Sequence, residues 1–298
     1  MTKILNFGSL NIDYVYQVEH FVRPGETLSS QSLQLFCGGK GLNQSVAAAR
    51  AGAAVFHAGR IGKDGTMLAE LLQGAGVDTT HVRVGDTMSG HAIIQVDSGG
   101  QNCILLHGGE NRLVDETMAD EVLADFGEGD ILLLQNEISS VPAIMERARG
   151  RGLRIALNPS PADDRLASFP LESVSWFILN DLEGEALTGE QEPERIVSAL
   201  LGRYPASAVV LTLGKQGVLY AKGTERLSHG IYAVPRVDTT GAGDTFTGYF
   251  LAGAAAGLPM EEVLRRASIA SSLAVSRAGA AASIPELNEV LEANLTLV

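Results

Sequence analysis

The stretch Asp238-Thr239-Thr240-Gly241-Ala242-Gly243-Asp244-Thr245-Phe246 sets two glycines around an alanine and follows them with an acid. A small-residue helical pattern runs on from it to a stop at Gly257-Leu258-Pro259. Glycine lets the backbone approach a ligand closely, and a helix start leaves N–H groups without intrahelical acceptors. With the positive end of the helix dipole, those donors suit phosphate or another developing anion. Asp244 stands at the same point, placed to take a proton from an attacking hydroxyl. An anion hole of Gly241, Ala242 and Gly243 beside a carboxylate base is the equipment of phosphoryl transfer. Taken alone, these residues are equally those of a capped helix after a turn.

A second motif, Cys37-Gly38-Gly39-Lys40-Gly41-Leu42-Asn43-Gln44-Ser45-Val46-Ala47, opens an alanine-rich helix through a glycine turn. It places Lys40 and Asn43 at the helix mouth, where they can meet a polyhydroxylated ligand or a phosphate. No Gly-Lys-Ser/Thr occurs, so it is not a Walker loop, and no Gly-x-Gly-x-x-Gly follows the first strand. Asn11 and Asp13, at the end of the first strand, share one face and suit sugar hydroxyls. Glu137, Asn180 and Glu183 follow predicted parallel strands at their carboxyl ends, the edge where open α/β sheets place ligands. Thr212-Leu213-Gly214-Lys215-Gln216-Gly217 is a Gly-x-x-Gly turn, either a plain hairpin or the wall of a nucleotide site. The six histidines have no metal-ligand spacing.

The elements that must hold these residues read as alternating strands and helices. Ile4–Phe7, Ala54–Ala58, Ile131–Leu134, Leu153–Leu157, Val174–Leu179 and Ala208–Leu213 are apolar, β-branched runs typical of buried strands. Helical patterns lie between and after them: Leu42–Ala51, Thr66–Leu72, Glu116–Asp125, Ala143–Ala148, Glu194–Leu201, Gly243–Ala256 and Met260–Arg277. Such alternation predicts a three-layer α/β/α fold around a mostly parallel sheet. Residues 11–36 and the hairpin within 90–107 break the rhythm with strands only, and predict a small second sheet projecting from the edge of the core. The core is then 1–10, 37–89 and 108–298, and the insertion is a lid, a dimer surface or a plain extension.

Composition narrows the partners. A 298-residue chain with 45% hydrophobic and 19% charged residues is that of a folded globular protein. Its net charge of −13 has no basic block to neutralise a nucleic-acid backbone. Two separated cysteines, no signal-like start and no apolar run of about 18 residues point to a reducing cytoplasm and away from a membrane.

The two glycine signatures together resemble those of the ribokinase-like, PfkB-type carbohydrate kinases, and the likeness spans nearly the whole chain. Asn158-Pro159-Ser160-Pro161-Ala162 and Thr212-Leu213-Gly214-x-x-Gly217 resemble the ribokinase branch of that family. The resemblance implies transfer of the ATP γ-phosphoryl group to a sugar hydroxymethyl, D-ribose to D-ribose 5-phosphate first, with Mg²⁺ on the phosphates. Deoxyribose, another sugar or a nucleoside are the alternative acceptors, and a non-catalytic sugar-binding regulator is the remote one. By position, Asp244 is the base, and Asn11, Asp13, Gly39, Lys40, Asn43 and Glu137 hold the sugar. Asn180, Thr212, Gly214, Lys215, Gly217, Gly243 and Ser268 fall at ATP positions, and Glu183 acts on Mg²⁺ indirectly. Asp238, Thr240, Ala274, Arg277, Gly279 and Ser283 match loops that bind an activating K⁺, and the strand insertions match a lid that also joins a homodimer. Leu42, Leu179, Ser268 and Ala281-Ala282 depart from the residues usual in the family.

Overall fold

The computed structural model describes residues 2–298. The main sheet contains β1 (Lys3–Phe7), β4 (Ala54–Ile61), β5 (Asp78–Val84), β8 (Ile131–Gln135), β9 (Arg154–Asn158), β10 (Val174–Asn180), β11 (Ala208–Thr212), β12 (Val218–Lys222) and β13 (Glu225–His229). A separate sheet is made of β2 (Asn11–Gln17), β3 (Ser32–Gly38), β6 (Gly90–Val96) and β7 (Asn102–His107). The nine strands run in the order β13-β12-β11-β10-β9-β8-β1-β4-β5, parallel from β11 to β5, with β12 and β13 returning antiparallel at one edge.

A central parallel strand is covered on both faces, so it is apolar at every position. In β8, Ile131 and Leu133 enter one core while Leu132 and Leu134 enter the other, all fully buried. One core is closed by α1 (Lys40–Arg50), α2 (Thr66–Gly74), α7 (Ala242–Ala255), α8 (Met260–Val275) and α9 (Leu287–Glu292). The other is closed by α3 (Glu116–Leu123), α4 (Val141–Gly150), α5 (Asp181–Thr188) and α6 (Pro193–Arg203). This is the expected three-layer fold.

The differences from expectation are local. Strands β5 and β13 and helices α5 and α9 carry no clear sequence signal. β5 (DTTHVRV) is an edge strand with one partner, and α5 and α9 have only 8 and 6 residues. Asn11 and Asp13 do not end the first strand; β1 stops at Phe7, and they begin β2 of the small sheet. That sheet leaves the carboxyl end of β1, an interior strand of the main sheet, and its strand β3 runs on to Gly38.

Candidate active site

Asp244 lies in the first turn of α7 and is 8% exposed. Helix α1 crosses α7 and aims two amides at it. Asn43 Nδ2 donates to Asp244 Oδ2 at 3.0 Å, and Gln44 Nε2 donates to Oδ1 at 2.8 Å. The crossing is close because Gly248 of α7 meets Ala47 of α1; a Cβ there would lie 2.4 Å from the Ala47 Cβ. Gly241 caps α7 in the left-handed region at φ 74°, which suits glycine. The Ala242 N–H reaches back to the Thr239 carbonyl at 3.3 Å. The N–H groups of Gly243 and Asp244 have no acceptor among the described residues, and nothing occupies the space into which a Gly243 Cβ would point. These are the free donors and the open approach that an anion requires.

Where the sequence places the sugar-binding residues, β2 and the turn before α1 converge. Asn11 pairs with Gly38 in register, and the Gly39 Cβ direction closes on the Asn11 N–H. Gly39 takes φ 93°, so the chain can turn sharply into α1. The Lys40 N–H donates to Glu137 Oε2 at 3.1 Å, and the Ser9 hydroxyl donates to the same oxygen. Burial raises the Glu137 pKa above the ordinary carboxylate value. Burial alone would discharge the Lys40 ammonium, but the carboxylates of Asp244, Glu137 and Glu183 outweigh it and hold its pKa above the usual lysine value. Burial, reinforced by the nearby charge of Glu137, pushes Asp13 up to about 7.

A cavity of about 240 Å³ runs from Lys40 and Asp244 past Gly241 and Gly243 to Asn180, Glu183 and Thr212. A second, of about 300 Å³, continues through Thr212, Gly214 and Gly217 to Phe246 and Ser268. Asn180 caps α5, accepting from the Glu183 N–H at 2.8 Å, while Glu183 Oε2 accepts from the Asn180 N–H at 3.1 Å. This reciprocal box fixes the Glu183 carboxylate at the cavity wall. Gly214 and Gly217 have φ of 54° and 86° and shape the turn between β11 and β12. Lys215 lines a neighbouring cavity with Ile231, Tyr232 and Arg236. The two cavities share Asn180, Thr212 and Gly243, and of the residues expected to hold a sugar only Lys40 and Asp244 line them.

The family model for PfkB family carbohydrate kinases matches residues 1–287. The chain belongs to this family. It is 37% identical over 296 residues to a ribokinase of Haemophilus influenzae, covering 96% of each chain. It is also 37% identical to a ribokinase of Bacillus subtilis, covering 98% of this chain and 99% of that one. A solved structure of Arabidopsis thaliana ribokinase complexed with ribose and ATP aligns at TM-score 0.88 and 33% identity, covering 98% of both chains.

In this carbohydrate kinase the loops before α7 and after α8 abut beneath the anion hole. Asp238 Oδ1 accepts from the Thr240 N–H at 2.9 Å and Oδ2 from the Gly279 N–H at 3.0 Å. Both carboxylate oxygens therefore tie backbone together. Gly241 packs on Ala280, with its Cβ direction 3.2 Å from the Ala280 Cα. The Ala274 carbonyl accepts from the Arg277 N–H, the Arg277 guanidinium pairs with Glu289, and the Ser283 hydroxyl donates to the Ala280 carbonyl.

Sequence reasoning missed several residues that hold this kinase's site. Asn111 is 2% exposed, brackets Leu10 through both backbone groups, and donates to Asn11 Oδ1 at 2.7 Å. No periodicity marks it. Gln44, Gln135, Asn6 and Asn158 form a buried amide group behind Asp244. The available signal was an amide inside or closing an apolar strand, as in Ile131-Leu132-Leu133-Leu134-Gln135. Among the described residues no helix is long and apolar enough to cross a membrane, and no cluster of three or more His, Cys, Asp or Glu forms a metal site.

Proposed function

We propose that the protein is an ATP-dependent sugar kinase that converts D-ribose to D-ribose 5-phosphate. The observation that carries this reading is Asp244. It sits beside the free N–H donors of the α7 start and beside Lys40, in a cavity that shares Asn180, Thr212 and Gly243 with a second one. Similarity to ribokinases over the full chain supports ribose as the acceptor. Asn11, Asp13, Gly39, Lys40, Asn43 and Glu137 hold the sugar so that one hydroxymethyl faces Asp244. Asp244 takes the hydroxyl proton as the oxygen bonds to the γ-phosphorus, the bond from that phosphorus to the bridging oxygen breaks, and ADP leaves. The amides of Gly241, Ala242 and Gly243 and the Lys40 ammonium meet the charge that builds on the transferring group.

Asn180, Thr212, Gly214, Lys215, Gly217 and Ser268 receive the nucleotide. Mg²⁺ would neutralise phosphate charge there, and Glu183, fixed by its capping box at the cavity wall, would act on it indirectly. The loops at Asp238–Thr240 and Gly279–Ser283 offer carbonyls to K⁺, whose binding would stiffen the hole that rests on Ala280. The small sheet closes over the sugar as a lid and joins two copies, and the enzyme works in a reducing cytoplasm, in keeping with its two free cysteines.

The test is ADP release with ATP and Mg²⁺ against a panel of ribose, deoxyribose, hexoses and nucleosides, with and without K⁺. Ribose should give the highest kcat/KM, and K⁺ should raise it. No release with any acceptor would return the protein to sugar binding without catalysis. Asp244→Asn should cut kcat by at least about 100-fold, the contribution expected of a general base, while ATP still binds by calorimetry.

A further inference from the structure

Behind Asp244 runs a file of buried amides in which Gln44 donates toward the cleft and Gln135 donates both ways, to Gln44 and to Asn6. Gln44 Nε2 gives its two hydrogens to Asp244 Oδ1 at 2.8 Å and Asn158 Oδ1 at 3.0 Å. Gln44 Oε1 therefore faces back, and accepts from Gln135 Nε2 at 2.7 Å. The second Gln135 hydrogen goes to Asn6 Oδ1 at 3.0 Å. Asn6 Nδ2 in turn gives to the Gly41 carbonyl at 2.7 Å and to Ser45 Oγ at 2.8 Å. Ser45 then has its own proton left for His57 Nδ1 at 2.8 Å, and His57 Nε2 faces the Gly8 carbonyl. Gln44, Asn6, Ser45 and His57 are 0% exposed and Gln135 is 1%.

The direction of this file is set at its cleft end. A carboxylate that is to accept a proton begins as an acceptor only, so Gln44 must present its amide hydrogens and turn its oxygen back to accept from Gln135, whose second hydrogen is held by Asn6. One consequence is an unsatisfied atom. Gln135 Oε1 is buried without a partner, because both of its hydrogens are committed elsewhere. Buried polar groups normally find partners, and a core built only for stability would place leucine here or complete the bonding. The file also rests on β1 and β8, interior strands of the main sheet, rather than on a surface loop.

We infer that Gln44 is a positioning residue for the base, held in its donor orientation by Gln135 and Asn6, so that the Asp244 carboxylate is aimed by the rigid centre of the sheet. This rests on Asp244 being the base of the proposed kinase. Its effect belongs to the chemical step, since Gln44 touches neither sugar nor nucleotide by position. Misplacement of a reacting group by about 1 Å can cost on the order of 100-fold in rate.

The test compares Gln44→Met, Gln44→Glu and Gln135→Met with the unaltered enzyme, by steady-state kinetics, near-ultraviolet circular dichroism and calorimetric binding of ADP and ribose. Gln44→Glu keeps the acceptor for Gln135 and removes the donor to Asp244. It should therefore lose kcat at least as severely as Gln44→Met, both falling roughly 10- to 100-fold, with ribose affinity and the folded spectrum kept. Gln135→Met should lose less alone, and almost nothing further when added to Gln44→Met, because it acts through Gln44. Gln44→Glu with near-normal kcat would overturn the inference, as would additive losses or losses seen only in KM. An unaltered enzyme inactive on every acceptor would instead remove the kinase reading itself. Should Gln44 variants fail to fold, Gln135→Met still decides: unchanged kcat in a folded protein refutes the file.

Discussion

Asp13 bears the cost of the sugar site most visibly. Its carboxylate lies against Gly38, where any side chain would collide with it, and among the described residues no donor meets it. Burial and the charge of Glu137 push it up to about 7. An acid whose folded pKa is raised keeps its proton longer in the folded state. The folded protein therefore loses stability as pH climbs from the ordinary carboxylate value to about 7, and the loss is complete above that. Sugar hydroxyls would supply the missing donors and bond more strongly to the ionised form, so the KM for ribose should fall as pH rises through this window. Asp13→Asn removes the buried charge. It should raise the melting temperature at pH 8, leave it nearly unchanged at pH 4, and weaken ribose binding more at pH 8 than at pH 4. Scanning fluorimetry at the two values decides, since an equal shift at both would mean that ionisation of Asp13 does not carry the strain.

At the scale of elements, the site depends on how closely α1 and α7 cross. Asn43 and Gln44 sit one turn into α1, Asp244 one turn into α7, and Gly248 sets the separation between them against Ala47 and Ala48. Gly248→Val should overpack that crossing and destabilise the fold by roughly 1–3 kcal/mol. It should also draw both amides away from Asp244, so kcat should drop more than residual stability explains. Urea unfolding beside kinetics separates the two effects, and a variant that is destabilised but fully active would show that the crossing tolerates expansion. Much of this arrangement is legible in the residues. The strands that supply the core are unbroken apolar runs, and both glycine motifs announce where a helix begins on a ligand. What remained hidden depends on contacts between distant segments. The bond from Gln44 to Asp244 joins residues 200 positions apart, and Gln135 reaches Asn6 across 129. No local pattern marks an amide in a strand as a member of a chain of donors. Asn11 and Asp13 were misplaced for a related reason. β1 and β2 are both extended, and only the register with β3 and β6 assigns β2 to a different sheet.

At the scale of the whole molecule, the small sheet presents more apolar surface than a lone subunit usually shows. All six residues of β7 are exposed, Ile104, Leu105 and Leu106 among them at 52%, 68% and 57%. Leu33, Leu35 and Ile93, on β3 and β6, share a face with Leu105, while Phe36 shares the opposite face with Ile104 and Leu106. In register, Phe36 and Leu106 fall on the face that carries Asp13, so an apolar margin borders the sugar wall. Exposed apolar residues on the faces of this sheet mark contact surfaces, and the free edge of β7 invites another strand or sheet. We propose a second copy of the chain as that partner. Packing two such sheets together would hide such a face and brace each lid over its own sugar. The protein should therefore sediment as a dimer at micromolar concentration. Leu105→Glu combined with Leu106→Glu should make it a monomer, with the KM for ribose raised more than that for ATP, because the loosened lid borders the sugar and not the nucleotide. Sedimentation velocity and kinetics on the same preparation give the answer, and a variant that stays dimeric, or a monomer with an unchanged ribose KM, would separate the lid from the interface.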